Sequence, residues 1–329
     1  MAETILITGG AGFIGSNLVH RWHRNHPEDR ILVLDKLTYA ADRKQIEGLE
    51  RVELVVGDVQ NMELARYLIE RHGVGKIFHL AAESHVERSI TGPSEFIQTN
   101  LVGTFAMLEA ARQAWAGQKE CRFLHISTDE VYGSLGSEGK FHEEMPYAPN
   151  SPYSASKAGS DHLVRAYHHT YGLNVVTTNC SNNYGPRQHP EKLIPLAIGR
   201  MLRGENIPVY GDGQNVRDWL YVEDHCAALE MVMLKGSAGE TYCVGGDNEQ
   251  KNLDLLYLLC DTVDRHMGRS LGKSKELLTF VKDRAGHDQR YAINAGRIQG
   301  ELGWAPSVAF AQGLQKTVIW YLDKDQCKS

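Results

Sequence analysis

The sequence predicts an α/β protein, a doubly wound parallel sheet with a smaller, irregular C-terminal lobe for substrate. Three observations carry that expectation. Short β-branched runs alternate with amphipathic stretches through the first half, a glycine-rich turn follows the first run, and after about residue 179 the alternation loosens into pieces punctuated by Pro and Gly. Strands separated by helices imply right-handed crossovers and a parallel sheet covered on both faces.

The strand candidates, in chain order, are Thr4–Thr8, Ile31–Asp35, Val52–Val56, Lys76–Leu80, Arg122–Ser127 and Asn174–Thr178. Between them lie helical stretches such as Glu63–Arg71 and Glu95–Trp115. Ser151-Pro152 is a helix-start signal, with Ser able to cap and Pro suited to the first turn, and Gly172 should stop that helix after Tyr171. Pro186, Pro190, Pro195, Pro208 and Gly211–Gly213 break up the next region before helical segments at Leu253–Met267 and Phe310–Leu322. Residues 1–178, with about 214–238, form the expected nucleotide-binding domain, and 179–213 with 239–329 the second lobe.

The 329 residues suffice for about two domains' worth of core. Lys plus Arg is 35 against 41 for Asp plus Glu, a net −6, and 42% of residues are apolar, which excludes disordered and collagen-like chains. No apolar run approaches the roughly 18 residues of a membrane helix, so no membrane partner and a cytoplasmic location are expected. The 6 cysteines include no CxxC pair and no zinc-type His spacing, so no metal is expected and the thiols should be reduced. Mild acidity offers no general field for nucleic acid. Trp22, Trp115, Trp304 and Trp320 lie in or beside helical patterns and read as packing anchors.

The first strand runs into GGAGFIG at Gly9–Gly15, including Gly12, Phe13 and Ile14. Glycines let the backbone turn sharply and approach a pyrophosphate, while the helix starting near Phe13 offers unpaired amides and a positive dipole end. Alone the string is weak evidence, but the next strand ends in Asp35, 20 residues after Gly15. A carboxylate there can accept from an adenosine ribose and would repel an added phosphate, so the unit is Rossmann-type and favours NAD over NADP. Asp58, after the third strand, could receive the adenine amino group.

Strand Arg122–Ser127 delivers Thr128-Asp129-Glu130 at its carboxyl end, where open α/β sheets place their ligands. If both carboxyls face the crevice, each raises the other's cost of ionising, so one can act as an acid and its neighbour as a base. Tyr153 and Lys157 are four apart on one helical face, where the ammonium can lower the phenol's pKa. With a dinucleotide turn in the same chain, these groups fit alcohol oxidation.

The residues resemble the extended short-chain dehydrogenase/reductase superfamily, with YxxxK at Tyr153–Lys157, and within it are similar to the dTDP-glucose 4,6-dehydratases. The matching segments are GGAGFIGS (Gly9–Ser16), DKLTYA (Asp35–Ala40), HLAAESHVERSI (His79–Ile90), HISTDEVYG (His125–Gly133), YSASKA (Tyr153–Ala158), NCSNNYGP (Asn179–Pro186), PEKLIPL (Pro190–Leu196), RDWLYVEDH (Arg217–His225) and RAGHDQRYAI (Arg284–Ile293). Related epimerases usually lack the acidic pair, which makes Asp129 the most diagnostic residue.

That resemblance implies a hydro-lyase with an internal redox cycle, acting on a small-molecule nucleotide sugar and feeding deoxysugar synthesis such as that of rhamnose. Tyr153, helped by Lys157, would deprotonate the hydroxyl at carbon 4 of glucose while hydride moves to NAD. Glu130 would take the carbon 5 proton as Asp129 protonates the departing carbon 6 hydroxyl, with Thr128 hydrogen-bonding the carbon 4 oxygen. Cofactor contacts implied beyond the glycine turn, Asp35 and Asp58 are Lys36, Leu37, Thr38, Val59, Leu80, Ala81, Ala82, Ser84, Thr99 and Asn183, with Tyr153 and Lys157. Substrate contacts implied are Ser84, Thr128, Asn182, Lys192, Leu193 and Pro208. Tyr210, Arg217, Asn252, Arg284 and His287 complete that set, Arg217 suiting a diphosphate because its planar fork matches paired anionic oxygens. Small and apolar residues along Leu101–Leu108 and Ala155–Ala166 resemble the family's dimer faces, so a homodimer is expected.

The chain departs from the family's pattern at Ala41, Glu87, Arg187, His189 and Ala285, none of which is a proposed catalytic group. The alternatives are a UDP-sugar dehydratase, a nucleotide-sugar epimerase, or a nonenzymatic NAD-dependent sensor. Asp129-Glu130 argues against the epimerase, and intact Thr128, Tyr153 and Lys157 argue against the sensor.

Overall fold

A computed structural model describes residues 2–283 and 288–326. Six strands, β1 (Thr4–Thr8), β2 (Arg30–Asp35), β3 (Val52–Val56), β4 (Val74–His79), β5 (Arg122–Thr128) and β6 (Val175–Cys180), enter one sheet. The chain then leaves it for β7 (Asn182–Tyr184), β8 (Ile207–Tyr210) and β9 (Val216–Tyr221), and returns with β10 (Thr241–Val244). The resulting seven-stranded sheet has the order β10-β6-β5-β4-β1-β2-β3, with every neighbour parallel. This is the Rossmann-type arrangement, and strand order reverses between β1 and β4, opening a crevice at their carboxyl ends.

Alternate residues of the inner strands feed opposite cores, as the two-residue repeat of a strand requires. Ile5, Ile7, Ile31 and Val33 pack with Leu18, Trp22, Leu229 and Met233 on one face. Leu6, Leu32 and Leu34 pack with Leu68, Met107, Val164 and Tyr167 on the other. Trp22, Trp115 and Trp304 are buried anchors whose indole nitrogens donate to Asp29 Oδ2, Val74 O and Asp224 O; Trp320 is half-buried.

The second lobe holds a three-stranded sheet, with β9 between β7 and β11 (Glu249–Lys251), and a parallel pair of β8 with β12 (Leu278–Val281). Its core gathers Tyr184, Trp219, Tyr221, Leu255, Leu259, Leu314 and Val318. Two strands differ from the sequence-based division. Thr241–Val244, expected in the second lobe, pairs with β6 and forms an edge of the large sheet, whereas Val216–Tyr221, expected in the first domain, belongs to the small sheet. Both are short, and strand pairing between distant segments, not local pattern, decides which sheet a short strand joins.

The expected helix at Glu95–Trp115 is divided into Pro93–Phe96, a π-helical turn at Ile97–Val102 and Gly103–Ala114. The wide turn carries Asn100, 1% exposed, whose amide accepts from Glu83 N at 2.8 Å and donates to Glu83 O at 3.0 Å and Ser156 Oγ at 2.9 Å. Such π turns recur at functional sites, and this one braces the loop after β4 against the helix Pro152–Tyr171.

That helix begins and ends where its signals place it. Ser151 Oγ accepts from Ser154 N at 3.0 Å, Ser154 Oγ accepts from Ser151 N at 3.0 Å, and Gly172 closes the helix at φ +68°. Ser151→Ala should therefore cost about 1 kcal/mol of stability, read as a lower urea midpoint with an unchanged slope.

Candidate active site

A cavity of about 320 Å³ lies at the carboxyl ends of the central strands. Its floor is the turn after β1. Gly9 adopts φ +70°, and a Cβ there would sit 2.8 Å from Ala81 N; a Cβ on Gly15 would sit 2.1 Å from Gly9 O. Gly12 caps the helix Phe13–Asn25 without a side chain, leaving its first amides directed at the cavity that Phe13, Ile14 and Gly15 line. This cradle fits a dinucleotide's pyrophosphate.

Asp35 closes β2 beside it, 7% exposed. Its two oxygens accept from Ala11 N at 2.9 Å and Leu37 N at 2.8 Å, which orients the carboxylate and leaves lone pairs for a ribose diol. Burial pushes this carboxyl above its ordinary range, against the pull of those two amides. Lys36 pairs with Asp58 at 2.9 Å. Burial pushes Asp58 up, but the Gln60 amide and the Lys36 ammonium outweigh it and hold the group below its ordinary value.

The chemical groups stand at the end of β5. Thr128 caps the single turn Asp129–Tyr132, its hydroxyl accepting from Glu130 N at 3.3 Å. Asp129 is 2% exposed; Oδ1 accepts from the Thr128 hydroxyl at 3.3 Å, and Oδ2 has no hydrogen-bond partner among the described residues. Burial, then the negative charges of Glu130 and Asp218, push its pKa well above the carboxylate range. Burial and its acidic neighbours thus favour the protonated form of Asp129, the form that can act as an acid. Glu130, half-buried, lines the same cavity.

Tyr153 and Lys157 project from the first turns of the helix Pro152–Tyr171 into this space, both buried. The Thr128 hydroxyl hydrogen-bonds the phenol. Here the structure corrects the sequence reading: burial and the Glu130 charge hold the phenol well above its ordinary pKa. Lys157 Nζ donates to Ile126 O at 2.8 Å, and burial lowers its own pKa. Spacing put the two side chains on one face; the carbonyl at the strand end took the ammonium's hydrogen bond.

Most expected residues meet in this cavity. Gly9, Gly12, Phe13, Ile14, Gly15, Asp35, Lys36, Thr38, Asp58 and Val59 line the cofactor side. Leu80, Ala81, Ala82, Ser84, Thr99, Asn182, Asn183 and Lys192 join the five chemical residues on the other. Leu37 contributes its backbone amide to Asp35 and is absent from the walls, as are Leu193, Pro208, Tyr210, Arg217 and Asn252. The Arg217 guanidinium donates to Val216 O at 2.7 Å and Asp288 O at 2.8 Å and lies 4.3 Å from the centre of the Tyr291 ring. Arg284 and His287 lie outside the described residues.

Sequence reasoning missed Cys180, Ser181, Gln188 and Glu191 on the walls. The first two had a signal. The sixth strand was expected to end at Thr178, but it runs to Cys180, so the strand end that faces ligands falls two residues later. Among the described residues no cluster of His, Cys, Asp and Glu could hold a metal, and no helix is long and apolar enough to cross a membrane.

Fold and site together define a short-chain dehydrogenase/reductase of the extended type, with two neighbouring carboxyl groups, Asp129 and Glu130, in one cavity with Tyr153 and Lys157. The chain matches the GDP-mannose 4,6 dehydratase family over residues 6–317, and it belongs to that family. A dTDP-glucose 4,6-dehydratase of Xanthomonas campestris pv. campestris is 54% identical over 328 residues, covering 97% of this chain and 93% of that protein. A dTDP-glucose 4,6-dehydratase of Streptomyces venezuelae, solved with NAD bound, superposes with a TM-score of 0.90 at 46% identity, covering 98% of each chain. A UDP-glucose 4-epimerase of Thermotoga maritima reaches 0.88 at 28% identity, covering 98% of this chain and 99% of that one.

Because a methyl at position 15 would meet the Gly9 carbonyl, Gly15→Ala should abolish retention of NAD through purification. The nucleotide released on denaturation measures this, and wild-type content in the variant would refute the cradle.

Proposed function

We propose that the chain is a dTDP-glucose 4,6-dehydratase that carries NAD through the whole cycle and yields dTDP-4-keto-6-deoxyglucose. The observation that supports this most is the buried Asp129, its acid form favoured by that burial, in one cavity with Glu130 and Tyr153. An epimerase needs the phenol and the cofactor but has no use for an acid beside them. The relatives' names point the same way.

NAD, held by the Gly9–Gly15 turn and Asp35, supplies the hydride acceptor and donor. Tyr153 takes the proton of the carbon 4 hydroxyl, with Thr128 hydrogen-bonding that oxygen. Lys157, fixed to Ile126 O, places a positive charge near the phenol. Once carbon 4 is a ketone, the carbon 5 proton becomes acidic and Glu130 removes it. Asp129, protonated because it is buried beside other carboxylates, gives its proton to the carbon 6 hydroxyl, which leaves as water.

Ser84, Asn182 and Lys192 hold the sugar and diphosphate end of the substrate. Leu193, Pro208, Tyr210, Arg217 and Asn252 serve the base end. Their proximity in the second lobe supports this: Leu253 N donates to Gly213 O at 3.0 Å and Asn252 N to Asn215 O at 3.0 Å, tying the loop between β8 and β9 to the helix Asn252–His266. Residues 1–178 with about 214–238 serve chiefly the cofactor and 179–213 with 239–329 chiefly the sugar nucleotide, except that β9 carries Arg217 to the substrate side and β10 completes the large sheet. Five described cysteines are free and buried, which suits the cytoplasm. Ile97, Val102 and Phe105 expose apolar surface beside the helix Pro152–Tyr171, which supports a homodimer.

Incubating the purified protein, without added NAD, with dTDP-, UDP- and CDP-glucose should give a 4-keto-6-deoxy product from dTDP-glucose; product from UDP-glucose alone would overturn the substrate reading. Asp129→Asn should slow water loss about 100-fold or more while sparing the first oxidation, so absorbance of reduced nicotinamide accumulates. Equal slowing of both steps would remove the acid role. Sedimentation at working concentration should report a dimer, and a monomer would contradict that assignment.

A further inference from the structure

Below the catalytic turn lies a buried polar network that the chemistry above leaves unused. Its centre is Asp161, 5% exposed and one helical turn beyond Lys157 on the same helix face. One oxygen lies 3.1 Å from His125 Nε2. The other accepts from the Tyr147 hydroxyl at 2.9 Å and Asn179 Nδ2 at 3.0 Å. Asn179 Nδ2 also donates to Thr128 O at 3.2 Å, so the network reaches the residue that precedes the acid pair.

The titratable groups packed around Lys157 and Asp161 are His79 of β4, His125 of β5, Cys180 of β6 and Tyr147 of the loop before the helix. Tyr132, Asp129 and Glu130 stand on the turn after β5. Nearly all are neutral near pH 7. Burial drives His79 well below its ordinary value and His125 to about 4, and it lifts the Cys180 thiol to about 12. Burial likewise raises Tyr132, Tyr147 and Asp129, and Glu130 acts on the phenol at the cavity side. The short His125–Asp161 contact is therefore a neutral donor on a carboxylate, and it leaves the negative charge of Asp161 uncancelled. Lys157, 3% exposed, has the mirror problem, since its hydrogen bond goes to an uncharged carbonyl.

We propose that Asp161 is a positioning residue that acts through Lys157: across one helical turn, its buried charge keeps the ammonium protonated and so equips Tyr153 to lose and regain its proton. A buried charge is stable only with a counter-charge, and within this network each of the two is the other's. The catalytic half of this inference rests on the dehydratase reading; the charge pairing does not.

Asp161→Asn removes the charge and keeps the shape. Its amide oxygen can accept from Tyr147 and Asn179, and its NH₂ can donate to His125 in the other tautomer. Tyr147→Phe removes a hydrogen bond to Asp161 and no charge. Lys157 in the folded Asp161→Asn protein would release its proton at lower pH, while the unfolded chain keeps it to about 10.4. Where the folded state binds fewer protons, stability rises with pH. The stability deficit of NAD-loaded Asp161→Asn against wild type, read from urea midpoints, should therefore narrow as pH rises from neutrality toward the unfolded-chain value of about 10.4, and that of Tyr147→Phe should stay constant. A pH-independent deficit in Asp161→Asn, or the same narrowing in both variants, overturns the pairing. In single turnovers with dTDP-glucose, the basic limb of the first oxidation should move down by about one unit in Asp161→Asn alone. An unmoved limb with a narrowing deficit would separate the charge pair from catalysis and overturn the catalytic half, whereas wild type failing to turn over would instead count against the dehydratase reading.

Discussion

Burial of ionisable groups at the carboxyl edge of the parallel sheet governs this protein. In water Asp129 would be a carboxylate, incapable of protonating a leaving hydroxyl. Held 2% exposed beside Glu130 and Asp218, it is pushed toward its protonated form. The same low-dielectric space lowers the ammonium of Lys157, which moves toward neutral pH as Asp129 does, and raises the phenol of Tyr153, which moves away from it and so depends on nearby positive charge to give up its proton. Burial of this kind requires the second lobe. Asp218 comes from β9 and anchors the turn beyond β10 through Gly246 N at 3.0 Å and Asn248 N at 2.8 Å, so the far side of the acid is built by chain well over 80 residues away.

Such a site needs a scaffold that does not yield when charge moves within it. The loop after β4 is held twice: by Asn100 through the backbone of Glu83, and by Thr8, whose hydroxyl accepts from Ala81 N at 3.1 Å while contacting His79 at 2.8 Å. These contacts fix the wall shared by cofactor and sugar. The fold itself is common ground with an epimerase of nearly equal structural similarity. Function is carried by a site placed on such a shared frame.

Much of this was legible in the sequence because its signals are local. The glycine turn, the strand ending in Asp35, and the Ser151–Gly172 helix each follow from backbone rules acting over a few residues, and each formed where expected. The acid pair could be found because it follows directly on a recognisable strand. Illegible were the features set by distant partners. The π turn at Ile97–Val102 exists around one buried asparagine that meets Glu83 and Ser156, and β10 is a four-residue strand whose sheet is chosen by pairing with β6. The preference of Lys157 for the Ile126 carbonyl over direct support of the phenol belongs to the same kind.

By itself, then, the sequence determined the parallel sheet and the glycine turn, and named Thr128, Asp129, Glu130, Tyr153 and Lys157 as candidates that the fold brings to one cavity, since propensity, spacing and turn chemistry operate between near neighbours. Tertiary structure alone decided their protonation. Whether a carboxyl is an acid or a base, and whether a lysine meets a phenol, a carbonyl or a buried aspartate, depends on solvent exclusion and on charges brought in from β6, β9 and the helix behind them. Dielectric surroundings are a property of packing in three dimensions, and no stretch of chain encodes them alone.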